Sequence, residues 1–278
     1  VACVLWCALD AVECATRRSF VLLGVALGLA ALARSELALL APLVLIWVAL
    51  CRRRSGVSVW AAVIPVAASA AVVLLPWLAF NMTRFENPVL LTTNDGTTWL
   101  GANCDDTYSG EVLGGWSLRC VIADPDYRYD EEPSVRSSRQ RAIAVSYIRH
   151  HLTEVPEVVL ARVGRTLDLH GLSDLVHQDV GEERPEWVAW AGIVTFWMMA
   201  VASVVGALRL GRRYRSLLLA PFVVVLCTTV LFYGGHRIRS SAEPSLVLLT
   251  AVAVTAAVEG VRRRDRRSLS DASHGGGS

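Results

Sequence analysis

The chain has 278 residues, 54% of them hydrophobic and 19% charged, with a net charge of +2. A soluble domain carries about 25% charge, and here the apolar residues gather in blocks of roughly 15 to 25, the length that crosses a bilayer. This excludes a disordered chain, a small disulfide scaffold and an ordinary soluble enzyme, gives no ground for a nucleic-acid partner, and leaves an all-α polytopic membrane protein.

The chain opens at Val1 inside the apolar run Val1–Leu9, with no polar residue before it and no signal-peptide pattern. We read it as starting within a longer polypeptide, in a partial span. Phe20–Leu50 follows, too long for one ordinary span and broken by Arg34-Ser35-Glu36. It is either one long helix with central charges or a hairpin of Phe20–Ala33 and Leu37–Cys51. All 27 basic residues are Arg, clustered at Arg17-Arg18, Arg52 to Arg54, Arg209 to Arg215 and Arg262 to Arg267. The hairpin puts all four clusters on one side, as the positive-inside bias requires; a single helix puts the first opposite the rest. The hairpin is therefore expected. Each arm reaches only about 21–23 Å against roughly 30 Å of hydrocarbon, so Arg34 and Glu36 fall below the outer surface. There they either pair across the turn or line a functional cavity, which is the usual reason for intramembrane charge. Val57–Phe80 is a clear span and completes a membrane region over 1–80.

Residues 81–185 form an extracytoplasmic segment with 10 Arg against 17 Asp plus Glu. Pro88, Asn94-Asp95-Gly96 and the Thr-rich Leu90–Leu100 stretch read as turns and short extended pieces. From Ser137 the pattern is helical, with Ile143, Tyr147, Ile148 and Leu152 in phase. Val155-Pro156-Glu157 opens a second helix capped by Thr153. Val158, Val159, Val163 and Leu167 line one face of it, with Arg162 and Arg165 beside them. That helix lies either on the outer membrane surface or on a packed hairpin with a solvated face. Cys3, Cys7, Cys14, Cys51 and Cys227 fall in or beside spans and read as small apolar residues. Cys104 and Cys120 are the two cysteines of the external segment. An oxidising compartment favours a bond between them, and closing about 15 residues is worth roughly 3 kcal/mol.

Glu186–Leu208, Ser216–Tyr233 and Pro244–Val261 are three further spans, within a second membrane region over 186–261. Residues 262–278 read as a basic, disordered cytoplasmic tail. No His sits in a metal motif. His236 stands out by its neighbours, Gly234-Gly235-His236-Arg237-Ile238-Arg239, followed by Glu243-Pro244. Two Arg in a short external loop run against the positive-inside bias. They bind either lipid headgroups or a specific anionic ligand, which guanidinium grips with paired hydrogen bonds.

Leu29-Ala30-Ala31-Leu32-Ala33-Arg34-Ser35-Glu36 resembles the "GLAxLxRxE" segment of bacterial GT-C membrane glycosyltransferases, relatives of the protein O-mannosyltransferases and the aminoarabinose-lipid A transferases. Pro76-Trp77-Leu78-Ala79-Phe80-Asn81 is similar to their "PWxxRN" span exit, without the Arg before Asn. Thr92-Thr93-Asn94-Asp95-Gly96 resembles "STNGG". Tyr233 to Pro244 resembles "YGxxRxRxPxEP", with Ser where Pro is usual. Gly101-Ala102-Asn103-Cys104 through Cys120 looks like an actinobacterial subgroup. The motifs run in the family's order over most of the chain.

The resemblance implies a GT-C-like helical bundle with a mixed, mainly helical external domain, in a bacterial inner membrane. It implies transfer of a sugar from a polyprenyl-phosphate donor to an acceptor hydroxyl at the outer face. The partners would be the polyprenyl-phosphate-linked sugar and membrane lipids. Arg34, Arg237 and Arg239, with His236 nearby, would hold the leaving phosphate in a water-poor site, and Glu36 or Glu243 would orient an Arg. The acceptor proton needs a base, which the family carries upstream of this chain. These 278 residues alone are therefore expected to be inactive, and Asp95, Asp105 and Asp106 are not assigned that role. No cofactor is evident, and a divalent metal is left open. The competing readings are a lipid-carrier transporter and a membrane-anchored binding module.

Overall fold

The computed structural model describes the backbone of residues 1–128 and 130–274, with side chains through 260 and at Arg262. Among these residues there is no strand. The fold is all-α, and the mixed external domain expected from the sequence is helical.

The first group of helices is α1 (Ala2–Glu13), α2 (Arg17–Ala33), α3 (Leu40–Arg54) and α4 (Trp60–Arg84). Thr16 caps α2 by accepting from the backbone N–H of Ser19, and the Ser19 hydroxyl closes the reciprocal half of the box. Arg34 then leaves helical geometry, and Ser35–Leu39 forms a 3-10 turn leading into α3. The Arg52 guanidinium sits 5.6 Å from the Phe20 ring, so the end of α3 lies beside the start of α2. The two helices fold back on each other at this turn; α2 starts three residues before Phe20, and α3 is shifted three residues along from Leu37–Cys51.

Gly24 and Gly28 let α2 and α4 touch along their backbones. A Cβ at Gly24 would lie 2.0 Å from Ser69 Oγ and 2.2 Å from the Val66 carbonyl oxygen; one at Gly28 would lie 2.8 Å from Val73 Cβ. The Ser69 hydroxyl donates to the Val21 carbonyl at 3.0 Å. Contacts advance along both helices together, so α2 and α4 run parallel. Four residues apart, the two glycines form the small-residue stripe that brings helix backbones together where burial alone drives nothing.

The second group begins with α11 (Glu186–Arg209), α12 (Arg212–Leu231) and α14 (Glu243–His274). Gly206 does for α11 and α14 what Gly24 does for α2: its Cβ would meet the Leu249 carbonyl at 1.9 Å. The Trp47 indole donates to the Arg213 carbonyl at 2.9 Å, which ties the start of α12 to the end of α3. Arg17, Arg52 and Arg213 thus gather at one end of the molecule. The helix α14 continues to His274, so the tail read as disordered is helical to that residue; 275–278 lie outside the described residues.

One core joins these groups. Val4, Leu5 and Ala8 of α1, Leu23 of α2, Val44 and Val48 of α3, Val66 of α4 and Leu217 and Val224 of α12 are all buried together. Many large apolar side chains face outward, among them Ile64, Val72, Met198, Val201 and Leu208. Five helical stretches are long and apolar enough to cross a membrane: Ser35–Arg54, Trp60–Arg84, Glu186–Arg209, Arg212–Leu231 and Glu243–Gly260.

Between the groups lie α5 (Asp95–Ala102), α6 (Asp105–Tyr108), α7 (Leu118–Ile122), α8 (Pro133–His150), α9 (Val155–Thr166) and α10 (Leu172–Gly181). The turn reading of Leu90–Leu100 is corrected: from Asp95 the segment is helical, because Gly96 can press against the Ser137 backbone of α8. Thr153 is not the cap of α9; Glu154 holds that position, and its side chain makes no capping bond. Cys104 and Cys120 are bonded, joining α6 to α7. The short α13 (His236–Arg239) stands between α12 and α14.

The placing of Arg162 and Arg165 on an open face of α9 is corrected. Arg162 and Arg165 face neither lipid nor water; they are buried, while Leu160 is exposed. Arg162 donates to the Val230 carbonyl (3.0 Å), the Ala102 carbonyl (2.8 Å) and Asn103 Oδ1 (2.9 Å). Arg165 pairs with Asp174 and donates to the Glu111 carbonyl. Burial pushes the Arg162 guanidinium below its ordinary value, opposed by Tyr108. Arg162 fastens these helices to the end of α12, and Arg165 ties α9 to the Glu111 turn and to α10. A sequence pattern cannot separate them from surface Arg, because the acceptors are carbonyls supplied by remote turns.

Candidate functional site

The site forms where the α2–α3 turn meets α13. Arg34 and Ser240 are 206 residues apart, yet Arg34 Nη1 donates to Ser240 Oγ at 2.6 Å. Arg34 also pairs with Glu36. A cavity of about 760 Å³ is lined by Arg34, His236, Arg237, Arg239, Ser240 and Glu243, with Arg184 and the α11 residues around Phe196. Five of the six residues expected at a site therefore share one wall. Glu36 lines the adjoining cavity, which also borders Arg34.

Each of the four guanidiniums on this wall has a carboxylate. Arg34 pairs with Glu36, Arg184 with Asp179 (3.1 Å), Arg237 with Glu182 (3.2 Å) and Arg239 with Asp168 (2.6 Å). Burial separates them into two kinds. The Arg239 side chain is 10% exposed and Asp168 is fully enclosed. The guanidinium carbon of Arg239 lies 3.6 Å from the Phe196 ring centroid, close enough for strong cation–π attraction. Arg239 also donates to the Thr166 carbonyl. Removing one partner of such a pair leaves a buried charge uncompensated. By contrast, the Arg237 side chain is 75% exposed. An open pair of that kind is worth roughly 0–1 kcal/mol, so an incoming anion displaces Glu182 at little cost.

His236 is held between two carboxylates, with Nε2 2.6 Å from Asp168 Oδ1 and Nδ1 3.2 Å from Asp179 Oδ2. The arrangement is satisfied when both ring nitrogens donate. Asp168 thus bridges His236 and Arg239 and fixes α13 against the end of α9. It does so from a left-handed backbone conformation, φ +53°, which is uncommon outside glycine. Asp168 and Asp179 are the site residues that sequence reasoning missed. No local signal marked them, since two long apolar helices, α11 and α12, separate them in sequence from the Arg motif.

The expected role of Glu243 is corrected. It lies on the cavity wall, but the Arg of α13 are oriented by Asp168 and Glu182, because these come from the chain packed directly against α13. Glu36 does orient Arg34. Among the described residues, no group of three or more His, Cys, Asp or Glu side chains is arranged to hold a metal ion.

The arrangement offers exposed guanidinium donors in front of a rigid, charge-balanced backing, beside the apolar side chains of α11 and α14. Open guanidiniums of this kind can take an anion through charge-assisted hydrogen bonds. No protein-family model, curated protein or solved structure matches the chain.

Proposed function

We propose that this chain is the main body of an integral membrane glycosyltransferase of GT-C type, which takes a sugar from a polyprenyl-phosphate carrier at the outer face of a bacterial inner membrane. The observation that carries the reading is the contact of Arg34 with Ser240. It joins two motifs, read independently in the sequence, at one cavity beside apolar helices. In this reading α2, α3, α4, α11, α12 and α14 cross the bilayer, Arg17, Arg52 and Arg213 mark the cytoplasmic end, and 81–185 lies outside.

The donor phosphate leaves with the electron pair of its bond to the anomeric carbon, as the acceptor oxygen bonds to that carbon and its proton passes to a general base, a role given to no residue described above. Arg237 and Arg34 stabilise the departing negative charge, and they gain strength as water is excluded. Arg239, His236, Asp168 and Asp179 are positioning residues: they hold α13 so that Arg237 faces the cavity. The polyprenyl tail lies against the α11–α14 pair.

The test is sugar transfer from a polyprenyl-phosphate hexose by the intact protein in its own membranes. Arg237→Ala and Arg34→Ala each lose roughly tenfold or more, the worth of a charge-assisted hydrogen bond, with the protein still folded. A lipid-linked scaffold retains every function in both variants, and that result removes the proposal.

A further inference from the structure

The end of the molecule away from Arg34 carries a further cavity, of about 490 Å³. Arg17 and Arg52 line it, with the rings of Phe20 and Trp60 and the apolar side chains of Ile64 and Pro65. Among the described residues no acid lines it.

The cavity is built from helix ends. Arg17 is the first residue of α2, and Trp60 is the first of α4. The two helices run parallel, so the positive ends of both dipoles open here. Neither first turn contains an acid; α2 begins instead with Arg17-Arg18, and no side chain caps α4. Arg52 arrives from the last turn of α3, and its guanidinium stands 5.6 Å from the ring of the buried Phe20. The Nε of Arg52 is buried and has no hydrogen-bond partner, and a buried donor left unmade is costly. The guanidiniums of the Arg34 cavity each have a carboxylate. By contrast, the ion pairs among the described residues include neither Arg17 nor Arg52. Asp10 and Glu13, the acids nearest to Arg17 in sequence, pair with neither; Asp10 accepts from the Cys14 thiol.

Two unmatched cations and two helix N-termini call for a ligand with two negative charges. The rest of the cavity says what carries them. Trp60 and Ile64 lie one turn apart on α4, and they are 68% and 60% exposed. A soluble anion makes no use of that apolar strip. A lipid does: its phosphates meet the Arg while its acyl chains follow the helix past Trp60, an aromatic at the level where an interfacial belt forms. Basic pockets between spans on the cytoplasmic side take such headgroups. We propose that this cavity binds a phospholipid carrying two phosphates, of the cardiolipin kind, from the cytoplasmic leaflet. The phosphates sit on Arg17 and Arg52, and the chains lie along Trp60 and Ile64. The inference uses the membrane topology of the reading above and does not depend on sugar transfer.

Native mass spectrometry tests this on the intact protein released from nanodiscs holding cardiolipin, phosphatidylglycerol and phosphatidylcholine. The wild type retains cardiolipin over both other lipids. Retention falls about tenfold in Arg17→Gln and in Arg52→Gln, the worth of a charge-assisted hydrogen bond. Arg17 is exposed and bonds to no other side chain among the described residues, so its variant reads binding with the fold intact. Arg53→Gln removes the same charge from an exposed position outside the cavity and keeps the lipid. Equal retention of cardiolipin and phosphatidylglycerol, unchanged retention in Arg17→Gln, or an equal loss in Arg53→Gln overturns the proposal. Release of the lipid by millimolar pyrophosphate also overturns it, in favour of a soluble anion. Cardiolipin retention is unchanged in Arg237→Ala, so this site and the Arg237 cavity stand or fall separately.

Discussion

At the scale of single residues, burial decides which guanidiniums hold the fold and which are free to act. Arg237 and Arg239 are two residues apart, and the sequence gives them equal standing. The structure encloses Arg239 between Asp168 and Phe196 and leaves Arg237 open. Asp168→Asn is therefore expected to destabilise the protein by about 3–5 kcal/mol, against under about 1 kcal/mol for Arg237→Ala. Thermal unfolding in detergent measures both, and equal losses would contradict this division. The motif Gly234 to Arg239 was legible because two Arg in a short loop expected outside run against the positive-inside bias. Its carboxylate partners were not, since Asp168 and Asp179 belong to another segment of the chain. A second residue-scale expectation concerns Asp124. Burial alone would raise its carboxyl, but hydrogen bonds from Arg139, the Asp126 N–H and Gln140 hold it below its ordinary value. Arg139 likewise holds Glu131 down. A lowered folded pKa gives stability that is full above the unfolded value of about 4 and lost as pH falls through the folded value. Hydrogen exchange along α8 should stay protected from neutral pH to about pH 5 and rise below pH 4. Loss of protection beginning above pH 6 would show that these carboxylates do not set it.

At the scale of elements, the helices follow their apolar blocks, and the sequence located α4, α11 and α12 to within a few residues but ended α14 at Val261, 13 residues before His274. Their contacts depend on something the hydropathy pattern does not weigh, the absence of a side chain. Gly24 and Gly206 admit a neighbouring backbone where any Cβ would collide with a carbonyl oxygen. Gly24→Leu is expected to part α2 from α4 at a cost of about 1–3 kcal/mol or more, read as a lower unfolding midpoint. An unchanged midpoint would mean that the two helices do not pack through that face. The Leu90–Leu100 region was misread for a related reason. Thr, Asn, Asp and Gly favour turns locally, yet contact with α8 stabilises a helix from Asp95, and tertiary packing outweighs weak propensity. The Cys104–Cys120 bond was legible from compartment and count. Cys104→Ser should cost roughly 3 kcal/mol, and added reductant should reproduce that loss in the wild type but have no effect in the variant.

At the scale of the whole molecule, three features meet at one end: the helices between α4 and α11, held by the buried Arg162 and Arg165 of α9, a cavity with exposed guanidinium, and the apolar helices α11 and α14 beside it. The Arg pattern made the hairpin legible, and the Phe20–Arg52 contact bears it out. The fastening was hidden, because Arg162 and Arg165 look amphipathic in sequence and are buried against carbonyls that only the fold brings near. The central claim is that the cavity between Arg34 and α13 receives the phosphate of a polyprenyl lipid. Its most direct measurement is competition between polyprenyl monophosphate and phosphatidylglycerol for the protein in nanodiscs, read by native mass spectrometry. The account predicts retention of the polyprenyl lipid by the wild type and loss of about tenfold or more in Arg237→Ala. Equal retention of the two lipids, or retention unchanged in Arg237→Ala, would contradict it.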